Sequence, residues 1–140
     1  MSRAQVLMAM VHNLRPDPLP QRKRRVLVVD DNLDTVQSMA LLLKLNGHEV
    51  QFAINGLAAI DIARKFRPEV IFLDIGLPDF RGDQIANQLK WEPGLENVRI
   101  IAVSGRSGDE DRKRALAAGC EDYRVKPLDP ALLEELLAKP

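Results

Sequence analysis

Two hydrophobic rhythms alternate along this chain. The run Val-Leu-Val-Val at 26–29 is continuously apolar and rich in β-branched residues, as in a strand buried on both faces, and it stops at Asp30, Asp31 and Asn32. Val36, Met39, Ala40 and Leu43 then recur at helical spacing until Asn46 and Gly47 supply a left-handed stop. Residues 49–53 alternate as a second strand, and Asn55 and Gly56 turn into a helix carrying Ala59, Ile60 and Ala63, closed by Pro68. The alternation repeats. Residues 70–73 predict a third strand ending in Asp74, then a loop through Pro78 and Gly82 and a helix with Ile85, Ala86 and Leu89. Residues 100–103 predict a fourth strand ending in Ser104 and Gly105, with a helix over 109–118 that opens on acids, as the helix dipole favours. A fifth strand over 122–125 leads into Lys126 and Pro127, and a last helix covers 130–138.

Five strand–helix units of this length leave no room for hairpins. They predict an α/β domain with a parallel sheet and right-handed crossovers, helices covering both faces. Ahead of it, Pro16, Pro18 and Pro20 mark an extended linker over 14–21, and residues 4–13 fit a short helix that needs something to pack on. The division is therefore an extension with a Pro-rich linker over 1–24 and a folded domain over 25–138.

Composition narrows the classes. At 140 residues, 46% hydrophobic and 29% charged, the chain fits one soluble folded domain, and its apolar runs fall far short of the roughly 18 residues of a membrane span. The single thiol, Cys120, has no disulfide partner and reads as a small buried hydrophobe, which suits a reducing cytoplasm. Residues 1–25 carry six Lys/Arg against Asp17, a net +5, leaving fourteen bases against nineteen acids beyond them, a net −5. An acidic body with few aromatics offers no groove for direct nucleic-acid binding. Residues 6–11 are too short and too poorly flanked for a secretion signal. His48, just past a helix stop, reads as a surface residue.

In open α/β sheets ligands bind at the carboxyl ends of the strands. There the first strand delivers Asp30 and Asp31, the third Asp74, the fourth Ser104 and the fifth Lys126. Three carboxylates so close call for a cation, and all-oxygen ligands point to magnesium. Metal and Lys126 together could hold the oxygens of a transferring phosphoryl group while a carboxylate attacks, with Ser104 donating to one of them.

From residue 25 to 137 the chain resembles a response regulator receiver domain of bacterial two-component signalling. The resemblance rests on Asp-Asp-Asn after the first strand, Asp-x-x-Leu-Pro after the third, Ser-Gly after the fourth and Lys-Pro after the fifth. It implies a flavodoxin-like three-layer sandwich, strand order 2-1-3-4-5, and a cytoplasmic phosphoprotein of a phosphorelay. It implies that Asp74 accepts phosphate, that Asp30, Asp31, Asp74 and the Gly76 carbonyl hold Mg2+, and that Ser104, Gly105 and Lys126 contact the phosphoryl group. Ser104 and Tyr123 would be the switch pair, the ring turning inward once Ser104 moves toward the phosphate. Arg112, Lys113 and Arg114 beside Glu134 and Glu135 would form a docking face for an output protein of unknown identity. Gly76 and Arg106 depart from the commoner pattern at positions that influence attack of water on the acyl phosphate. The implied partner is a histidine kinase or histidine phosphotransfer protein, with no direct contact to nucleic acid or membrane. With no output domain after residue 138, the chain reads as a stand-alone regulator or a hybrid-kinase receiver. Beyond its own phosphorylation and dephosphorylation it would not be an enzyme. The alternative is a phosphohydrolase with Asp74 as nucleophile, against which stands Gly76 where such enzymes need a second Asp.

Overall fold

A computed structural model describes residues 2–13 and 23–139. Five strands, β1 (Arg25–Val29), β2 (Glu49–Ala53), β3 (Val70–Asp74), β4 (Arg99–Ser104) and β5 (Asp122–Val125), form one parallel sheet ordered β2-β1-β3-β4-β5. The helices are α1 (Arg3–Asn13), α2 (Leu33–Leu45), α3 (Gly56–Phe66), α4 (Gly82–Trp91), α5 (Asp109–Ala117) and α6 (Pro130–Ala138). The five strand–helix units stand as predicted. The extended linker expected over 14–21 lies outside the described residues.

Strand residues alternate between two cores. Leu27, Val29, Ile71, Leu73, Ile100 and Ala102 face α3, α4 and Ala115 of α5, whereas Val26, Val28, Val70, Phe72, Ile101 and Val103 face α2 and α6. Burial on both sides explains why the strand runs are apolar throughout. Local chemistry ends the helices: Asn32, Asn55 and Asp129 side chains accept the N–H groups of Thr35, Ala58 and Ala131, and Gly47 leaves α2 at φ 93°.

Helix α1 is capped reciprocally by Ser2 and Gln5 and lies against α2 and α6. The packing that residues 4–13 needed is therefore found on the sheet's α2–α6 side.

The amino end of the sheet corrects the expectation for His48. Its side chain is buried: Nδ1 accepts the Arg24 N–H at 3.0 Å and Nε2 meets Glu134 Oε2 of α6 at 3.3 Å. Arg24, within the net-positive stretch over residues 1–25, is buried too, its guanidinium donating to the Leu137 carbonyl (3.1 Å), the Lys139 carbonyl (2.6 Å) and Glu69 (3.2 Å). Glu134 is thus bonded to His48 and Asn46, and Arg114 lies 3.8 Å from Asp111 within α5.

Candidate functional site

Asp30, Asp74, Ser104 and Lys126 meet because each lies at or just beyond the carboxyl end of its strand, and parallel pairing sets those ends side by side. Asp74 pairs with Val103, and Ser104 with Val125. The Lys126 N–H donates to the Ser104 carbonyl at 2.7 Å, which fixes the lysine next to β4. Its Nζ then reaches Asp30 Oδ2 at 2.8 Å and Asp74 Oδ2 at 3.0 Å. Asp31 is exposed, while Asp30, Asp74 and Ser104 are buried. One carboxylate oxygen from each of Asp30, Asp31 and Asp74 lies within 4.8 Å of the others. The sequence-predicted acids and lysine are therefore brought together.

Backbone amides hold the carboxylates in place. The Gly76 N–H donates to Asp74 Oδ1 at 2.9 Å and the Asn32 N–H to Asp30 Oδ1 at 2.9 Å. Burial pushes the Asp74 carboxyl above its ordinary range, helped by the negative Asp30 and opposed by Gly76 N–H and Lys126. For Lys126 burial works against the charge, but the two carboxylates outweigh it and hold the ammonium above its usual value. Burial penalises both charges, but only at Asp74 does it prevail over the partners. All donors here are oxygens, with no His or Cys, which suits a hard divalent cation.

Ser104 Oγ accepts the Arg106 N–H at 3.0 Å, and its own O–H has no acceptor among the described residues. Beside it a cavity of about 540 Å³ opens from Asp74 between the β3–α4 loop and α5, lined in part by Gly76, Gly105, Arg81, Arg106 and Arg114. A Cβ on Gly105 would meet nothing within 4 Å, so the glycine widens the mouth. Tyr123 is already buried, its hydroxyl donating to the Arg106 carbonyl. The inward place expected for the ring after phosphorylation is thus taken in this structure.

Two positioning residues escaped the sequence reading. Asp79 accepts the Gly56 and Leu57 N–H groups at 2.8 and 3.1 Å, tying the loop after Asp74 to the start of α3, and these amides lower its pKa. Gly82 lets that loop close, since a Cβ there would sit 2.3 Å from the Ile75 Cα. An Asp after Pro78 signals a cap, yet the capped helix starts 23 residues earlier in sequence, beyond any local pattern.

A five-stranded parallel sheet with an acid triad and a lysine at its carboxyl edge is the architecture of phosphoryl-accepting signalling domains. Residues 26–138 match the response regulator receiver domain model, and the chain belongs to that family. It is 40% identical to the transcriptional regulatory protein PrrA of Mycobacterium leprae over 116 residues, 82% of this chain and 47% of that protein. It therefore spans about half the length of PrrA. It is 33% identical to the polar-differentiation response regulator DivK of Brucella anthropi, over 81% of this chain and 93% of DivK. Among solved structures it resembles the receiver domain of the sensor histidine kinase PA1611 of Pseudomonas aeruginosa, which has magnesium in its active-site cleft (TM-score 0.74, 28% identity, covering 83% of this chain and 95% of that one).

Proposed function

We propose that this domain is a phosphorylation-dependent switch that takes a phosphoryl group onto Asp74 from a histidine kinase or histidine phosphotransfer protein. The observation that carries the reading is the Lys126 ammonium held between Asp30 and Asp74 beside the hydroxyl of Ser104. In the transfer an Asp74 oxygen attacks phosphorus, the bond from phosphorus to the histidine nitrogen breaks, and that nitrogen keeps the bonding pair. Lys126 and Ser104 are the groups that would meet charge on the phosphoryl oxygens.

Asp30, Asp31, Asp74 and the Gly76 carbonyl would hold Mg2+, whose chemistry is to neutralise phosphoryl charge. The fit rests on an all-oxygen donor set that a lysine already partly neutralises. The domain acts once per phosphoryl group and not as an enzyme on free substrates. Its output is a protein contact, for which the α5–β5–α6 side, with Tyr123 latched to the β4–α5 loop, is the surface nearest the switch pair Ser104 and Tyr123.

The test is intact mass after incubation with a small acyl phosphate and magnesium. One added phosphate, absent in Asp74→Asn, is expected; undiminished labelling of that variant, or sustained turnover of a free phosphomonoester, would overturn the reading.

A further inference from the structure

The loop between β3 and α4 carries the Gly76 carbonyl, yet burial holds little of it. Of residues 75–81 only Leu77 is buried. The loop's ends are fixed: the Ile75 N–H donates to the Val103 carbonyl at 3.1 Å and the Gly82 N–H to the Ile75 carbonyl at 3.2 Å. Across residues 76–81, Asp79 alone among the described residues hydrogen-bonds an element other than the flanking β3 and α4. Its carboxylate accepts the Gly56 N–H at 2.8 Å and the Leu57 N–H at 3.1 Å. Helix α3 has its own cap in Asn55, which accepts the Ala58 N–H at 2.8 Å, so Asp79 takes the two leading amides left over. The helix is the rigid partner, anchored in the core by Ala59, Ile60 and Ala63. Gly56 leaves room for the carboxylate, since a Cβ there would sit 3.2 Å from Asp79 Oδ1 and 2.6 Å from Ile85 Cδ1. Three residues before Asp79, the Gly76 N–H is on Asp74 Oδ1, and the Gly76 carbonyl accepts no hydrogen bond among the described residues.

We infer that Asp79 is a positioning residue for the divalent-cation site: it pins the loop to α3 and so holds the Gly76 carbonyl ready as a ligand. The inference rests on the reading of Asp30, Asp31, Asp74 and Gly76 as that site. Asp79 is not one of the clustered acids, so it acts through the loop and not as a ligand. A carbonyl on an unpinned loop must be ordered as the ion binds, and ordering the backbone of one residue weakens binding about tenfold. Partners that orient metal ligands commonly have effects of that size. The coupling is reciprocal. A cation that binds the pinned loop about tenfold more tightly than the released one must favour pinning over release by the same factor. Helix α3 supplies no ligand, yet its two leading amides then report whether the cation is bound.

The experiment titrates magnesium into the unphosphorylated full chain, following amide chemical shifts, for the parent, Asp79→Ala and Asp79→Asn. The dissociation constant should rise about tenfold in Asp79→Ala. Asn is neutral but keeps one acceptor oxygen, so Asp79→Asn should lie between, about threefold weaker than the parent. An unchanged constant in Asp79→Ala would reduce Asp79 to a helix cap, and an Asn variant as weak as the Ala variant would assign the effect to lost charge; either overturns the inference. Amide hydrogen exchange supplies a readout in the parent itself. Saturating magnesium should slow Gly56 and Leu57 about tenfold and leave Ala58, which Asn55 holds, unchanged. Equal slowing of all three amides, or of none, would contradict the coupling. A parent whose spectrum does not respond to magnesium would instead sink the metal site, so the two failures are distinguishable.

Discussion

Replacing Lys126 with Met removes the one cation among the described residues that touches both Asp30 and Asp74 while keeping most of the apolar stem. The ammonium lies 2.8 Å from Asp30 and 3.0 Å from Asp74, and both acids are buried, at 4% and 6% exposure. Removing one partner of a fully buried ion pair costs about 3–5 kcal/mol. The lysine side chain keeps 32% of its exposure, so solvent shields part of that; about 2 kcal/mol remains. At about 4 °C per kcal/mol for a domain of this size, the melting temperature in chelator at neutral pH should drop by about 8 °C. The pH dependence has a definite sign. With its folded pKa raised, Lys126 contributes stability that is fully present below the ordinary lysine value and is lost as pH rises through the folded one. The deficit of the variant should also shrink in acid, where Asp74, its carboxyl held above the ordinary range, takes up a proton. A divalent cation should restore more stability to Lys126→Met than it adds to the parent, because the ion takes over the lysine's role. A variant that melts within about 1 °C of the parent in chelator would show that the three groups do not form the site described.

Three further outcomes can be checked separately. Magnesium should raise the parent's melting temperature by mass action, and Asp31→Ala should abolish the rise; an equal rise in the variant would remove Asp31 from the metal site. His48→Ala, which leaves the Arg24 N–H without its acceptor and Glu134 with Asn46 alone, should cost about 2–3 kcal/mol in urea unfolding, whereas a surface histidine would cost almost nothing. Burial pushes the Cys120 thiol up to about 11, with Asp83 adding to the effect, so a thiol reagent should label it only as fast as the protein opens; rapid labelling of the native protein would contradict its burial.

Asp30, Asp31, Asp74, Ser104 and Lys126 were legible because each directly follows or ends an apolar run, and a run that short and continuous is itself local information. Once the runs are parallel strands, their ends must converge. What escaped depends on contacts distant in sequence. His48 looks exposed beside a helix stop, yet it is buried with Arg24, 24 residues back, and Glu134 of α6, 86 residues on, as its partners. Arg24 lies in the net-positive stretch over residues 1–25, where nothing local marks it for burial, yet it closes the end of α6 by donating to the carbonyls of Leu137 and Lys139. Asp79 caps a helix that precedes it in the chain. Tyr123 was recognisable as a strand residue, but its burial depends on where the β4–α5 loop puts the Arg106 carbonyl. Strand ends are set by local pattern; polar burial is set by packing between elements.

The central claim is that Asp74 forms an acyl phosphate. Borohydride reduces an aspartyl phosphate to homoserine, so phosphorylated protein can be reduced, digested and sequenced by tandem mass spectrometry. Homoserine should appear at position 74, and neither Asp30 nor Asp31 should be converted. Conversion at either of those acids, or none at position 74 in protein that carries one phosphate by intact mass, would contradict the account.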